Sequence, residues 1–238
     1  MQGKHVVIVG SSIAGASLAY ALAGKGFNVE VFDQKKPELA GKKVCDSIVT
    51  TDYLAACREL GIRGEDFILK EYNTAKVVSP GSSVELPIRD FKISRENLVK
   101  HLVKEAGTKG AKFNFKSRLL GMEKGKKCRL TFEQQGKKIM READVVVGAD
   151  GALSSVAKLS GLWQDREFML GIHAYAELPS VQQDDVYTIF LGKDYGYYSY
   201  LIPLKKGFLI GRVARNSSDN MKYFTKLLEN LGAKSVRM

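Results

Sequence analysis

Three small residues near the start of the chain have the spacing of a turn that binds a pyrophosphate group. Residues 6–17 read VVIVGSSIAGAS, in which Gly10 and Gly15 take the outer positions of the pattern G-x-G-x-x-G and Ser12 takes the middle one. Gly10 permits a tight bend and Gly15 permits close packing of a helix, whose free amides and positive dipole end attract phosphate. The predicted cofactor-binding residues of this turn are Gly10, Ser12, Ile13, Ala14 and Gly15.

An acidic residue follows this turn at the distance expected for a ribose contact. The apolar run 4–9 predicts a buried strand, residues 13–25 predict a helix, and residues 29–33 predict a second strand. Asp33 ends that strand, where a carboxylate accepts hydrogen bonds from ribose hydroxyls and disfavours the 2′-phosphate of NADP. We therefore predict a βαβ unit that binds the adenosine side of a dinucleotide.

A second glycine-rich stretch, far along the chain, resembles a segment of a known family. Residues 143–158 read ADVVVGADGALSSVAK and resemble the GADGxxS segment of flavoprotein hydroxylases and geranylgeranyl reductases, the class shaped like p-hydroxybenzoate hydroxylase. The resemblance implies FAD as the cofactor, with Asp150 near its pyrophosphate and with Gly148 and Gly151 allowing close backbone approach. It also implies that Arg95, in the helix-like stretch ISRENLVKHLVKEA, lies beside the flavin.

A cysteine loop is similar to one found in the geranylgeranyl reductase branch of that family. The loop GKKVC, residues 41–45, resembles the loop that carries a cysteine near the flavin and the substrate in that branch. The resemblance therefore implies Cys45 as a catalytic residue. Asp46 departs from the branch, which usually has glycine after the cysteine.

An aromatic strand near the C-terminal end resembles the substrate-domain motif of the same branch. In DYGYYSYLIPLKKGFLIGRVA, residues 194–214, Tyr200 stands where Trp is common and Ile202 replaces Phe. Alternate residues of a strand share one face, so such residues would wall an apolar tunnel for an isoprenoid chain. The implied substrate contacts are Tyr198, Tyr200, Ile202 and Pro203.

The order of predicted elements indicates an α/β protein with two domains. We expect a Rossmann-like FAD-binding domain with a parallel sheet, and a substrate domain built on an antiparallel β-sheet. The predicted limits are residues 1–73 with 94–165 for the first domain and 74–93 with 166–238 for the second. Further predictions are a turn at Pro87 and helices around 47–60 and over 218–231.

The family pattern also includes a third flavin motif with a Gly-Asp pair, which this sequence does not contain. We therefore expect the FAD-binding domain to lack its C-terminal part. Because an incomplete domain leaves sheet edges or apolar surface uncovered, we also expect self-association.

The composition excludes several other classes of protein. The net charge is +11, but the lysines are scattered in pairs that flank predicted turns. This distribution favours a solvated surface and argues against a nucleic-acid partner. Peripheral contact with an anionic membrane remains an open alternative. Three cysteines without a CxxC motif and three separated histidines argue against a disulfide framework and against a metal site. No apolar run reaches the roughly 18 residues of a spanning helix, and the first residues lead directly into a strand, which favours a cytoplasmic location.

Three functions remain open at this point, and the two enzymatic ones would take a small-molecule or lipid substrate. The Cys45 loop and the Tyr–Pro hairpin favour an FAD-dependent oxidoreductase of the geranylgeranyl reductase type, which reduces prenyl double bonds in isoprenoid lipid precursors. An FAD-dependent aromatic monooxygenase uses the same cofactor motifs, and the loss of glycine after Cys45 favours it. The third alternative is a non-catalytic remnant that binds a nucleotide or a partner.

Overall fold

The computed structural model describes residues 3–182, 184–215 and 219–238, and the chain folds as two compact units. The first unit contains residues 1–42 and 95–165, and the second contains residues 43–94 and 166–238. The strands are β1 (His5–Val9), β2 (Asn28–Phe32), β3 (Ile48–Val49), β4 (Ile68–Ser79), β5 (Ser82–Ile93), β6 (Lys112–Asn114), β7 (Ser117–Glu123), β8 (Cys128–Gln134), β9 (Lys137–Ala143), β10 (Val145–Gly148), β11 (Leu170–Glu177), β12 (Val186–Phe190), β13 (Tyr198–Pro203), β14 (Phe208–Ala214) and β15 (Lys234–Arg237). The α-helices are α1 (Ile13–Leu22), α2 (Asp52–Glu59), α3 (Arg95–Thr108), α4 (Ser155–Ser160) and α5 (Asn220–Asn230).

The first unit is built on a parallel sheet with the strand order β10-β1-β2-β6. Strand β1 is apolar and buried from Val6 to Val9, as is typical of a strand that is covered on both faces. Val6 and Ile8 pack with residues of α1, while Val7 and Val9 belong to a separate core with the antiparallel sheet β7-β8-β9. This arrangement fixes the carboxyl end of β1, where the glycine turn begins.

The second unit is built on an eight-stranded sheet with the order β15-β11-β14-β13-β12-β4-β5-β3. Neighbouring strands are antiparallel except for β4 and β12, which run parallel. Helix α5 covers one face, where Phe224 and Leu227 pack with Leu201 and Ile210. On the other face, Tyr200 and neighbouring side chains of β13 form a second apolar cluster with Tyr72 and Leu209.

The predicted fold class is confirmed, and several local predictions differ from the structure. The predicted turn at Pro87 is wrong, because β5 continues through Pro87, and a register irregularity between Tyr72 and Thr74 accommodates this residue. The helix expected around 47–60 is shorter, because its first residues form β3 and pair with β5. Strands β7 and β15 were not predicted. Residue 218, where the last helix was expected to begin, lies outside the described residues, and α5 begins at Asn220.

The division of the chain also differs from the predicted domain limits. Residues 43–73 lie in the second unit rather than with the FAD-binding domain. The physical reason is strand pairing, because β3 and β4 both pair with β5 and extend the large sheet. Within the described ranges, no helix is long and apolar enough to cross a membrane.

Candidate functional site

The two glycines of the N-terminal turn are required by contacts within the protein. Gly10 has a φ of 101°, and a Cβ built there would overlap the carbonyl oxygen of Ala149. A Cβ on Gly15 would overlap the carbonyl oxygen of Gly10, because α1 starts directly against the turn. The Gly10 amide donates a hydrogen bond to the carbonyl of Phe32 at 2.7 Å. Both glycines therefore set the shape of the turn before any ligand is considered.

Asp33 is tied to the same turn through Ser11, a residue that the sequence reasoning missed. The amide and the hydroxyl of Ser11 both donate hydrogen bonds to Asp33 Oδ2 at 2.7 Å. The amide of Lys35 donates to Asp33 Oδ1 at 2.8 Å. A carboxylate offers about four acceptor positions, so one remains for a ribose hydroxyl. The sequence signal that would have found it is a hydroxyl residue inside the fingerprint, between Gly10 and Ser12.

The N-terminus of α1 is open and electropositive. Ser12 takes the N-cap position, but its side chain does not cap the helix, and the first turn contains no acidic residue. Instead, the Ser12 hydroxyl accepts a hydrogen bond from Arg95 Nη2, and Arg95 Nη1 donates to the Gly41 carbonyl at 3.0 Å. Ile13 and Ala14 are exposed at this end of the helix. Uncapped amides beside a guanidinium fit the diphosphate of a dinucleotide.

The second glycine-rich segment lies next to this turn. Strand β10 pairs in parallel with β1, so Gly148 lies opposite Val9. Asp150 caps the N-terminus of α4, because its Oδ1 accepts a hydrogen bond from the Ser154 hydroxyl at 2.6 Å and its Oδ2 accepts one from the Ser155 amide at 2.6 Å. Gly151 has a φ of 87° with open space where a Cβ would lie. The structure thus brings the predicted cofactor residues together within the first unit, with Asp150 engaged in a helix cap.

The second unit contains an apolar cavity of about 510 Å³. Alternate residues of neighbouring strands form its walls, as the period of β13 predicted. The lining residues are Asp46, Ile48, Tyr187, Ile189, Leu191, Tyr197, Tyr198, Tyr200 and Ile202. The alternation of Tyr187, Ile189 and Leu191 is a signal of the same kind that the sequence reasoning left unused. A cavity of this size and composition suits an apolar small molecule.

Tyr200 and Tyr187 are held in defined positions around this cavity. Tyr200 lies directly across from Gly211, and a Cβ on Gly211 would overlap the far end of the Tyr200 ring. The Tyr187 hydroxyl donates a hydrogen bond to Asp90 Oδ2 at 2.8 Å. Burial raises the pKa of both tyrosines above the usual range, and the nearby charge of Asp46 raises it further. Both hydroxyls therefore remain protonated at neutral pH.

Cys45 and Pro203 do not line the cavity. The Cys45 thiol accepts a hydrogen bond from the Ser47 amide at 3.4 Å, and it is the neighbouring Asp46 that reaches the cavity wall. Pro203 lies in β13 next to Ile202, and its carbonyl accepts a hydrogen bond from the buried Tyr72 hydroxyl at 2.8 Å. Of the predicted substrate residues, Tyr198, Tyr200 and Ile202 line the cavity together.

A buried lysine and a histidine lie behind Asp46. Lys92 is 7% exposed and donates a hydrogen bond to the Asp46 carbonyl. Burial lowers the pKa of the Lys92 ammonium. Burial also lowers the pKa of His173, and the charge of Lys92 lowers it further. His173 Nδ1 is buried and has no hydrogen-bond partner within the described part of the chain. Asp46 is therefore the charged residue of the cavity lining, and the tyrosine hydroxyls are its other polar groups.

Relatives of two kinds share part of this sequence. A digeranylgeranylglycerophospholipid reductase 2 of Methanosphaera stadtmanae is 26% identical over 173 residues, which cover 68% of this chain and 43% of the relative. A kynurenine 3-monooxygenase of Christiangramia forsetii is 30% identical over 167 residues, covering 64% of this chain and 37% of the relative. The chain thus spans less than half the length of these curated relatives.

The fold also matches a solved structure over almost the whole chain. A geranylgeranyl bacteriochlorophyll reductase-like protein from Thermoplasma acidophilum superposes with a TM-score of 0.83 at 21% identity, covering 99% of this chain and 65% of that one. At this identity, the match establishes a shared fold.

Two family profiles match the chain itself. The profile of the NAD(P)-binding Rossmann-like domain matches residues 8–42, which contain the glycine turn and Asp33. The profile described as FAD binding domain matches residues 83–222, which include Arg95 and the segment around Asp150. This second match covers more than half of the chain and confirms the predicted cofactor, so the chain belongs to the FAD binding domain family.

Proposed function

We propose that this chain forms the cofactor-binding and substrate-binding part of an FAD-dependent oxidoreductase that reduces prenyl double bonds in isoprenoid lipid precursors. The observation that carries the proposal is the apolar cavity of about 510 Å³, walled by alternate side chains of β12 and β13, in a chain of the FAD binding domain family. The similarity to digeranylgeranylglycerophospholipid reductase supports the same substrate class.

The first unit would bind and orient the cofactor. The uncapped amides at the start of α1 and the guanidinium of Arg95 would bind the diphosphate, and the remaining acceptor position of Asp33 would receive a ribose hydroxyl. Gly151 would keep the neighbouring backbone free of side chains, while the absence of a side chain at Gly148 makes room for Val156. When bound and reduced, FAD supplies a hydride to one carbon of a polarised alkene.

The second unit would hold the isoprenoid and exclude water. Ile189, Ile202 and the ring faces of Tyr198 and Tyr200 provide apolar contacts for methyl-branched chains. Reduction of an alkene by hydride also requires a proton at the other carbon. The hydroxyls of Tyr198 and Tyr200 are protonated at neutral pH, because burial raises their pKa, and they line the cavity. They are therefore proton sources alongside Cys45, which remains a predicted catalytic residue without contact to the cavity wall.

The visible spectrum of the purified chain tests cofactor binding, and an anaerobic reaction tests the activity. We expect a flavin spectrum with one FAD per chain, either as purified or after loading with free FAD. Chemically reduced protein incubated without oxygen with an unsaturated archaeal-type glycerophospholipid should give a product heavier by two hydrogens per reduced bond. A chain that stays colourless after loading, or a reduced holoprotein that leaves the lipid unchanged, would contradict the proposal.

A flavin-dependent monooxygenase is the second candidate, and the similarity to a kynurenine 3-monooxygenase supports it. The two candidates differ in their need for oxygen. A monooxygenase would leave the anaerobic lipid unchanged and would consume oxygen and NAD(P)H with an aromatic substrate. Saturation of the alkene without oxygen excludes this candidate.

Peripheral membrane contact and self-association are further parts of the proposal. The net charge of +11 supports attraction to anionic headgroups, and a lipid substrate would be supplied from a membrane surface. We expect the chain to sediment with vesicles that contain anionic phospholipid and not with neutral vesicles. Light scattering on the same preparation measures the mass in solution, and a monomer would contradict self-association.

A further inference from the structure

Arg212 is a buried cation whose neighbouring carboxylate, Asp219, lies beyond ion-pair distance. It is 4% exposed, and no carboxylate of the described residues lies within ion-pair distance of its guanidinium. One guanidinium nitrogen, Nη1, donates a hydrogen bond to the side-chain oxygen of Asn220, and the guanidinium lies 5.0 Å from the centre of the Tyr223 ring. Nε is buried and has no partner among the residues that the structure describes. A buried charge of this kind is costly unless something pairs with it.

This guanidinium lines a second pocket of about 350 Å³ in the second unit. Arg215 lines the same pocket, and its guanidinium contacts Glu167 at 3.2 Å, with both side chains mostly exposed. Asp219 is the acidic residue of the lining, and because Arg215 is paired with Glu167, Arg212 is the lining cation without an ion pair among the described residues. Asn220 and Tyr223 add a polar amide and a hydroxyl. The pocket therefore offers a buried guanidinium and hydrogen-bonding groups that suit an oxyanion.

The basic pocket adjoins the apolar cavity at Tyr197. Tyr197 lines both the pocket and the cavity. Its backbone amide donates a hydrogen bond to the Val213 carbonyl at 2.8 Å, which fixes the backbone at this point. The two pockets lie on opposite faces of the sheet, since Arg212 and Gly211 are consecutive in β14 and Gly211 faces Tyr200. An elongated ligand would thus pass around the start of β13.

The charged residues of the two pockets determine which pocket binds the anionic head of such a ligand and which binds its apolar chain. Asp46 places a negative charge in the wall of the apolar cavity and would repel an anionic group there. The pocket at Arg212 instead offers a buried guanidinium that has no ion pair among the described residues. An amphiphile with an anionic head would therefore place its apolar chain in the cavity of Tyr198 and Tyr200 and its head at Arg212.

We propose that the Arg212 pocket binds a phosphate ester or a similar oxyanion carried by the isoprenoid ligand. The proposal rests on the proposed function, since it names a headgroup site for the same substrate class. A purely structural role is the alternative, in which Arg212 only anchors α5 through Asn220, whose amide donates to the Leu170 carbonyl at 3.0 Å. That role predicts an effect on stability without any preference for charged ligands.

The test compares the binding of a charged and a neutral lipid of the same chain length to the FAD-loaded protein without reductant. Calorimetry with geranylgeranyl diphosphate, geranylgeraniol and inorganic pyrophosphate gives three dissociation constants. We expect the diphosphate lipid to bind at least about tenfold more tightly than the alcohol, as for one or two charge-assisted hydrogen bonds. Arg212→Met should reduce this ratio to about two or less and leave the affinity for geranylgeraniol within about twofold.

Three further variants keep the test decisive if Arg212→Met does not fold. Arg212→Lys keeps the charge and should retain most of the ratio, while Arg215→Met, at an exposed position, should lower it about threefold. Arg63→Met is the matched control, because Arg63 is an exposed arginine of the same unit that lines neither pocket. It should leave all three constants unchanged.

Several results would overturn the proposal. Equal affinities of the wild type for the two lipids would do so, as would an unchanged ratio in a folded Arg212→Met protein or in Arg215→Met. If pyrophosphate alone binds as tightly as the diphosphate lipid, the pocket serves a free oxyanion and the lipid assignment is wrong. Failure of the proposed function is a separate result, because absent lipid reduction by the reduced holoprotein does not alter these binding ratios.

Discussion

The glycine turn of the first unit and the apolar cavity of the second unit are specified by different kinds of contact. In the turn, the residue types follow from backbone atoms that lie too close for a Cβ, as at Gly10 and Gly15, and from a carboxylate that binds three donors at Asp33. In the cavity, the residue types follow from the alternating faces of strands β12 and β13. We therefore expect substitutions in the turn to act on folding and cofactor binding together, and substitutions in the cavity to act on ligand choice.

The largest expected effect is in the turn, at Gly15→Ala. The added methyl group would overlap the Gly10 carbonyl oxygen, a backbone atom that cannot move away, so we expect a loss of about 3 kcal/mol or more in the free energy of unfolding. Urea unfolding followed by circular dichroism measures this. Gly107→Ala is the control, because Gly107 lies in α3 with open space around it and should stabilise by about 0.5 to 1 kcal/mol. Equal stabilities of the two variants would mean that the turn is not closely packed.

The next effect separates the two roles of Asp33. Asp33→Ala leaves the buried Ser11 amide without an acceptor, so we expect a loss of about 2 kcal/mol in unfolding free energy and FAD binding weaker by about tenfold or more. Ser11→Ala removes one hydrogen bond and keeps the carboxylate, which should cost about 1 kcal/mol with FAD affinity within about twofold of wild type. Fluorescence titration of the apoprotein with FAD measures the affinity. Unchanged FAD affinity in Asp33→Ala would reduce this residue to a purely structural role.

The sequence predicted the turn more completely than the cavity, and the reason is the range of the interactions. The turn is formed by one continuous stretch of the chain, from Gly10 to Asp33. The glycine spacing, the helix pattern and the acidic residue could therefore be recognised together in the sequence. Ser11 was the contact residue that was missed. The cavity combines β12 and β13 with a loop at Asp46, and residues 43–73 were assigned to the other domain because their pairing with β5 is not encoded locally. Strand alternation correctly placed Tyr198 and Tyr200 on one face. It could not place Arg212, although a cation within the apolar strand FLIGRVA was a signal.

A smaller effect tests whether strand faces control the cavity. Gly211→Ala should push the Tyr200 ring away from β14, with a stability loss of about 1 kcal/mol and weaker binding of geranylgeraniol by about fivefold. Tyr200→Leu removes the clash. The loss in unfolding free energy of the double variant should therefore be smaller than the sum of the losses of the two single variants by about 0.5 kcal/mol or more. Gly171→Ala is the matched control in the same sheet, since its Cβ would make only ordinary contact with Val213. Additive effects of the two substitutions would show that Gly211 does not position Tyr200.

The smallest expected effect is a pH dependence at the polar end of the cavity. Burial and the neighbouring charge of Lys92 lower the pKa of His173 in the folded state, while Asp46 acts in the opposite direction. Below the ordinary histidine pKa of about 6.5, the unfolded chain therefore binds more protons than the folded chain. The contribution of His173 to the free energy of unfolding is thus fully present above that pH and is lost as the pH is lowered. Because the ring is partly accessible to solvent, we expect the loss between pH 7 and pH 5 that is due to His173 to be about 0.5 kcal/mol.

His173→Gln should remove this part of the pH dependence, and Lys92→Met should weaken it, because a buried positive charge no longer opposes protonation of the ring. Urea midpoints at pH 5, 6 and 7 for the wild type and both variants measure the difference. If acid lowers the free energy of unfolding by the same amount in His173→Gln and in the wild type, the titrating group is not His173. The polar end of the cavity would then contribute nothing to the pH dependence of stability.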